Sequence, residues 1–189
     1  YAFGVHKALD KSGAVLGPLV AYGLLSWLGS SASTYQILFA VAMVPAVLSI
    51  FTLSRVKDQP APPRQRENPL QTWAVLSPDF KRYLVSAGLF SLAYFSFGFL
   101  MLRAHDVGFA VQDIVLLYAL FNISCVLASP LIGRLSDRVG RPRMIALGYA
   151  TYLGLCLGFA FAATRWQVVV LFVVYGLFYA IDEAQNKAF

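Results

Sequence analysis

The sequence predicts an all-α membrane protein with six transmembrane helices. Three observations lead there. Of the 189 residues, 59% are hydrophobic and only 13% charged, whereas the surface of a soluble domain needs about 25% charged residues. The apolar residues gather into six runs close to the ~20 residues that cross a bilayer as a helix. The lysines and arginines fall between those runs with a strong bias to one side. A soluble chain of this length buries a sizeable core, but not this much apolar surface. Lipid acts as the solvent instead.

The first run is Ala2 to Leu28, with a polar first third. The second, Tyr35 to Leu53, and the third, Tyr83 to Leu102, carry no charge. The fourth is Ile114 to Gly133 and the fifth Met144 to Thr164. The sixth starts near Trp166 and turns polar at Asp182. Backbone N–H and C=O groups must be paired inside hydrocarbon, so runs of this length are helices. Most connections are short. Ser54 to Arg82 is long and rich in proline and charge, and reads as a linker. Its second part, from Pro69 to Leu84, can hold a short interfacial helix with Trp73 at the surface.

Charge sets direction. With both chain ends on one side, that side collects Lys7, Lys11, Arg55, Lys57, Arg64, Arg66, Lys81, Arg82, Arg134, Arg138, Arg141, Arg143 and Lys187. The other side holds Arg103 and Arg165. The positive-inside rule places the richer side in the cytoplasm, with the chain ends and the 54–82 linker. The net charge of +6 is explained by this orientation, so no nucleic-acid partner is expected. Cys125 and Cys156 both lie in apolar runs and read as packing residues. The chain begins with Tyr1 and stops after a polar helical stretch, which suggests a piece of a longer protein.

The most informative segment is Gly133-Arg-Leu135-Ser-Asp137-Arg138-Val-Gly140-Arg141-Pro-Arg143. It resembles the signature loop of the major facilitator superfamily, G-x-L-[AS]-D-R-x-G-R-[RK]. Pro142 stands where that pattern has a basic residue, and Arg143 follows one place later. Its chemistry suits a latch: a carboxylate such as Asp137 is stabilised at a helix N-terminus, and Arg141 can grip a carboxylate with two hydrogen bonds. A solvated basic loop that only sets topology is the plainer alternative.

The resemblance implies a transporter of twelve spans in two halves. The long linker precedes this segment by two spans, which makes the segment the second of two copies. Residues 1–53 are then the last two spans of the N-terminal half, 54–82 the inter-half linker, and 83–189 the first four spans of the C-terminal half. The fold expected is therefore a partial superfamily fold. A bacterial inner membrane is the expected location. Gly13, Gly17 and Pro18 resemble the G-x-x-x-G-P-x-x-G pattern of span five in drug and proton antiporters, with Ala21 replacing the last glycine. Plain close packing of small residues and a proline bend are the alternative for these three.

Ionisable groups inside a span are functional candidates. His6 and Asp10 are four residues apart and share a helix face, which suits a proton relay. A solvated helix end with local ion pairs is the alternative. Asp182 and Glu183 close the sixth span, and the resemblance implies that one of them meets Arg141. Asp137 is expected to face the start of the first span, near Ala2 to Val5. Tyr94, Ser96, Tyr118, Asn122 and Ser124 are the candidate substrate-lining residues, because transporter sites lie near the bilayer midplane.

The expected function is movement of a small solute by alternating access, coupled to protons, with efflux the favoured direction. The expected partners are the lipid bilayer, a small-molecule substrate and protons. A membrane-embedded enzyme finds no motif here: there is no H-E-x-x-H and no Cys/His ligand spacing. No cofactor or metal is expected. A six-span channel or scaffold finds no filter-like loop.

Overall fold

A computed structural model describes residues 2–55, 73 and 75–186, with the backbone alone for residues 2–10 and 185–186. Every described regular element is a helix: α1 (Ala2–Leu28), α2 (Ala32–Leu53), α3 (Pro78–Ala93), α4 (Phe97–Asp106), α5 (Val111–Val139), α6 (Arg141–Phe161) and α7 (Arg165–Asn186). Five stretches are long and apolar enough to cross a membrane, counting α3 and α4 together, and α1 is a further 27-residue helix. At about 1.5 Å per residue, α1 has length enough for a bilayer core of about 30 Å.

Local chemistry explains where the helices stop. Gly29 ends α1 at φ 76°, where its N–H donates to the Leu25 carbonyl at 2.9 Å. Ser31 starts α2 by accepting a hydrogen bond from the Thr34 N–H at 3.3 Å. Ser77 starts α3 in the same way, with Pro78 pre-set for the first turn and Asp79 near the positive end of the helix dipole. Gly108, at φ 95°, closes α4. Its N–H reaches the His105 carbonyl at 2.8 Å and the Phe109 N–H reaches the Ala104 carbonyl at 3.1 Å. These two bonds make a Schellman end. Thr164 and Gln167 form a capping box ahead of α7. The Gln167 side chain accepts from the Thr164 N–H at 3.0 Å, and the Thr164 hydroxyl accepts from the Gln167 N–H at 3.4 Å. The T-x-x-Q spacing is present in the sequence, where only a short connection was expected.

Two expectations are corrected. The third span is not one helix: Tyr94, Phe95 and Ser96 interrupt it between α3 and α4. No glycine or proline marks that break, so hydropathy could not locate it. The Gly133–Arg143 segment is not a loop either. It is helical to Val139, breaks at Gly140, and resumes as α6 from Arg141. Pro142 falls in the first turn of α6, where its missing N–H costs nothing.

The chain divides into two compact units, Tyr1–Phe39 with Phe97–Phe189, and Ala40–Ser96. In the first, α5 is the central helix. It packs most extensively on α7 and then on α1, and α7 also packs on α6. Cys125, Ala128 and Ala180 form a small-residue core between α5 and α7, with Ile132 against it. Small side chains let two helices approach closely, which is how membrane helices associate without a hydrophobic drive. In the second unit, Met43, Val44, Val85, Leu89 and Leu92 are exposed, as lipid-facing side chains are.

At the end of the first unit where α4 and α6 finish, Arg103 ties the two together. Its Nε donates to the Phe159 carbonyl at 3.2 Å and its NH2 to the Ala162 carbonyl at 2.8 Å. These are carbonyls at the end of α6, which has no further helical N–H to satisfy them. Arg165 similarly donates to the Gly108 carbonyl and lies over the Phe109 ring, 5.7 Å from its centroid. Arg103→Ala is expected to lower stability by about 1–3 kcal/mol, since charged donors to buried carbonyls are lost. Arg103→Lys, with a single donor head, recovers part of this. Thermal unfolding of the full-length protein in detergent measures both.

Candidate functional site

The charged centre of the first unit is built by three helices. Lys11 comes from α1, Cys125 from α5, and Tyr179 and Glu183 from α7. Tyr179 and Glu183 are four residues apart and share one face of α7. The Lys11 Nζ lies 2.9 Å from Glu183 Oε2, and the two side chains are only 16% and 13% exposed. The same ammonium donates to Cys125 Sγ at 3.8 Å and sits 5.5 Å from the centre of the Tyr179 ring. Cys125 is 1% exposed. Lys11 therefore meets a carboxylate, a sulfur and an aromatic face together.

Such a pair is costly to bury and holds only when each charge finds its partner. Its position matters because the charges belong to different helices. It ties the beginning of α1 to the end of α7 across α5.

A chain of aromatic rings leads away from this centre. Tyr179 meets Phe121 edge-on at 5.5 Å, and Phe121 meets Tyr175 at 5.3 Å and Tyr118 at 5.7 Å. Phe97, at the start of α4, touches Tyr118 at 4.9 Å, Phe121 at 5.3 Å and Phe172 at 5.8 Å. The rings supply apolar area with weakly negative faces.

The candidate residues from sequence fall into distinct places. Tyr118 belongs to the aromatic chain. Asn122 is 6% exposed and its Nδ2 donates to the Tyr118 carbonyl at 2.9 Å. The Ser124 hydroxyl donates to the Leu120 carbonyl at 2.8 Å. Both polar groups thus bond their own helix, as short polar side chains do four residues along. Tyr94 and Ser96 lie in the second unit, at the break after α3; the Tyr94 ring meets Phe90 edge-on at 5.9 Å.

Gly133, Leu135, Asp137 and Arg138 lie on the last turns of α5, and Arg141 opens α6. Leu135, Asp137, Arg138 and Arg141 are exposed. Gly140 holds φ 88° and ψ 146°, a conformation reserved for glycine. That glycine is what lets α5 turn into α6 with no intervening loop. Asp182 stands beside Glu183 on α7, half-buried. Gly13 and Gly17 face open space: a Cβ added to either meets nothing within 4 Å. Pro18 lies inside α1 and is half-buried. The side chains of His6 and Asp10 lie outside those described, as does the expected approach of Asp137 to Ala2–Val5.

Lys11, Cys125 and Tyr179 as one cluster were not foreseen. Lys11 was read only as one of several charges near the start of the first span. The signal in sequence was a cation in the polar first third of one apolar helix and an anion at the polar end of another, on the same side. That Lys11 meets Glu183 required the packing of both α1 and α7 on α5.

The fold is thus an all-helical membrane bundle whose α5–α6 turn carries G-x-L-S-D-R-x-G-R. The Major Facilitator Superfamily model matches residues 1–181. The chain belongs to the Major Facilitator Superfamily. An uncharacterized MFS-type transporter of Methanocaldococcus jannaschii is 30% identical over 193 residues, covering 99% of this chain and 48% of that protein. The multidrug resistance protein MdtG of Serratia proteamaculans is 26% identical over 180 residues, covering 90% of this chain and 43% of its own length. The chain therefore spans about half the length of the curated relatives it matches. No solved structure matches. Superfamily membership and the apolar helices make this an integral membrane chain, with a partial superfamily fold.

Proposed function

We propose that this chain is part of a secondary transporter that exports small solutes by alternating access, driven by protons. The observation that carries the reading is the largely buried Lys11–Glu183 pair joining α1 to α7. An alternating-access transporter needs contacts that hold one face closed and then separate. An ion pair between helices that meet only through packing is such a contact. In this reading residues 1–53 close the N-terminal half, 54–82 link the halves, and 83–189 open the C-terminal half. The Lys11–Glu183 end faces the cytoplasm of an inner membrane, as the charge bias of the loops favours.

The signature residues from Gly133 to Arg141 sit at that same end and act with the pair as the latch. Arg141 engages the acidic end of α7, at Asp182 or Glu183, and Asp137 engages the start of α1. His6 and Asp10 are the proposed proton relay. Export of drug-like solutes is supported by likeness to a multidrug resistance protein and by the partial Gly13–Pro18 pattern.

The test is export of a fluorescent dye by the full-length protein in everted vesicles. Collapsing the proton gradient with an uncoupler is expected to stop it. Asp137→Asn and Asp10→Asn are each expected to slow it by about tenfold or more, the effect of losing one positioned charge. Export that survives the uncoupler would remove the coupling. Unaltered export in Asp137→Asn would remove the latch.

A further inference from the structure

The segment that leads into α3 sets exposed apolar surface beside positive charge. Trp73 is 46% exposed and Val75 87%, just ahead of the Ser77 cap. The Lys81 ammonium, on the first turn of α3, lies 6.0 Å from the centre of the Trp73 ring. That contact holds the indole against the start of the helix. Arg82 follows, with its Nη1 at 3.3 Å from Asp79 Oδ1. The two side chains are 82% and 91% exposed, so this pair holds Arg82 only weakly. A guanidinium carries five N–H donors, more than one carboxylate can take. The apolar stretch that begins at Pro78 runs to Asp106 and is long enough to cross a membrane. The ring and the two cations therefore stand at the mouth of a span. Indole rings settle there at headgroup level, and lysine and arginine heads reach toward phosphate. From Ser54 to Arg82 the sequence carries six lysines and arginines against three acidic residues. That balance is complementary to an anionic headgroup and not to a zwitterionic one.

We propose that Trp73, Lys81 and Arg82 form a binding site for an anionic phospholipid of the cytoplasmic leaflet. The choice of leaflet rests on the charge bias of the loops. Lys81 and Arg82 grip the headgroup phosphate, Arg82 with two hydrogen bonds. Trp73 and Val75 cover the upper carbons of the acyl chains. Cations that only set topology need no exposed tryptophan beside them, and here the ring and the ammonium are in contact. Lipid bound at this place pins the end of the 54–82 stretch to the membrane. It thereby fixes the depth at which α3 enters the bilayer. The inference concerns the membrane and not the solute, so it stands apart from the export reading.

The test is native mass spectrometry of purified full-length protein in detergent, titrated with dioleoylphosphatidylglycerol or with dioleoylphosphatidylcholine. The anionic lipid is expected to bind tighter. Lys81→Gln and Arg82→Gln are each expected to weaken its binding by about fivefold, the worth of one cation at an anionic surface. Phosphatidylcholine binding is expected to stay as it is in both. Lys81→Arg keeps the charge and the affinity. Trp73→Ser is expected to weaken the anionic lipid by about threefold, because the ring that holds Lys81 is gone. Thermal midpoints in detergent are expected to be unchanged in all four variants, which separates loss of lipid from loss of fold. Arg134, an exposed cation on α5, is the comparison, and Arg134→Gln is expected to keep the affinity. An equal loss in Arg134→Gln, or equal affinity for the two lipids, would overturn the proposal. So would a dimer that separates in Trp73→Ser, because the exposed face would then belong to a second copy.

Discussion

Gly176→Ala is expected to destabilise the full-length protein by about 3 kcal/mol, the upper range for forcing a methyl group into a packed contact. A Cβ built at Gly176 lies 2.6 Å from the Phe121 carbonyl oxygen, 2.6 Å from Ser124 Cβ and 3.0 Å from the Cys125 N. Two of these are backbone atoms of α5, which cannot move without moving the helix. The contact lies within the α5–α7 interface, so the two helices must move apart to admit the methyl group. Gly148 makes an instructive comparison, since its Cβ meets only the Ile181 side chain at 3.1 Å. A side chain can turn aside, so Gly148→Ala is expected to cost less. At Gly154 an added Cβ meets nothing within 4 Å. Alanine there is expected to be neutral or slightly stabilising, because glycine is the poorer helix former. Thermal unfolding in detergent ranks the three. Equal midpoints for the Gly176 and Gly154 variants would mean that the α5–α7 approach is looser than the structure has it.

Removing one member of the Lys11–Glu183 pair is expected to have the second large effect. Lys11→Met leaves Glu183 in a largely buried position without its ammonium, and Glu183→Gln leaves Lys11 likewise. Each single change is expected to cost about 3 kcal/mol, since it removes one partner of a largely buried ion pair. The double variant is expected to lose much less than the sum, because a neutral pair of similar volume fills the space. Stability is only half of the readout. The double variant also lacks the tie between α1 and α7, so α1 is expected to separate more often. Cys125 lies under Lys11 and is 1% exposed, so its alkylation reports that separation. Faster alkylation of Cys125 in the double variant, followed by mass spectrometry of its peptide, is the expected outcome. Strictly additive single effects with unchanged alkylation would show that the pair is neither coupled nor a tie.

The fold class was legible because its causes are local. Hydropathy along the chain marks the spans, since lipid demands apolar side chains and paired backbone groups over a fixed length. Helix ends were partly legible for the same reason: Gly29 and Gly108 stand at two ends, and Thr164 with Gln167 spells a capping box before α7. The break at Tyr94–Ser96 was not legible, because no residue there opposes a helix. The helical run through Gly133–Val139 was also missed. Its charges suggested a loop, yet a helix emerging from the bilayer carries charge as readily.

The candidate site divides along the same line. The sequence by itself pointed to the family, through the stretch Gly133–Arg141 in register, and identified Glu183 as an acidic group at the end of an apolar helix. Only the tertiary structure decided that Lys11 meets Glu183, that Cys125 and Tyr179 line the same spot, and that Asn122 and Ser124 turn back on their own helix. The physical reason is that hydropathy and capping act between near neighbours in the chain. The partner of a buried charge is chosen instead by which helices pack together. Here α5 brings α1 and α7 to one place, and Gly176 sets how closely α7 can come.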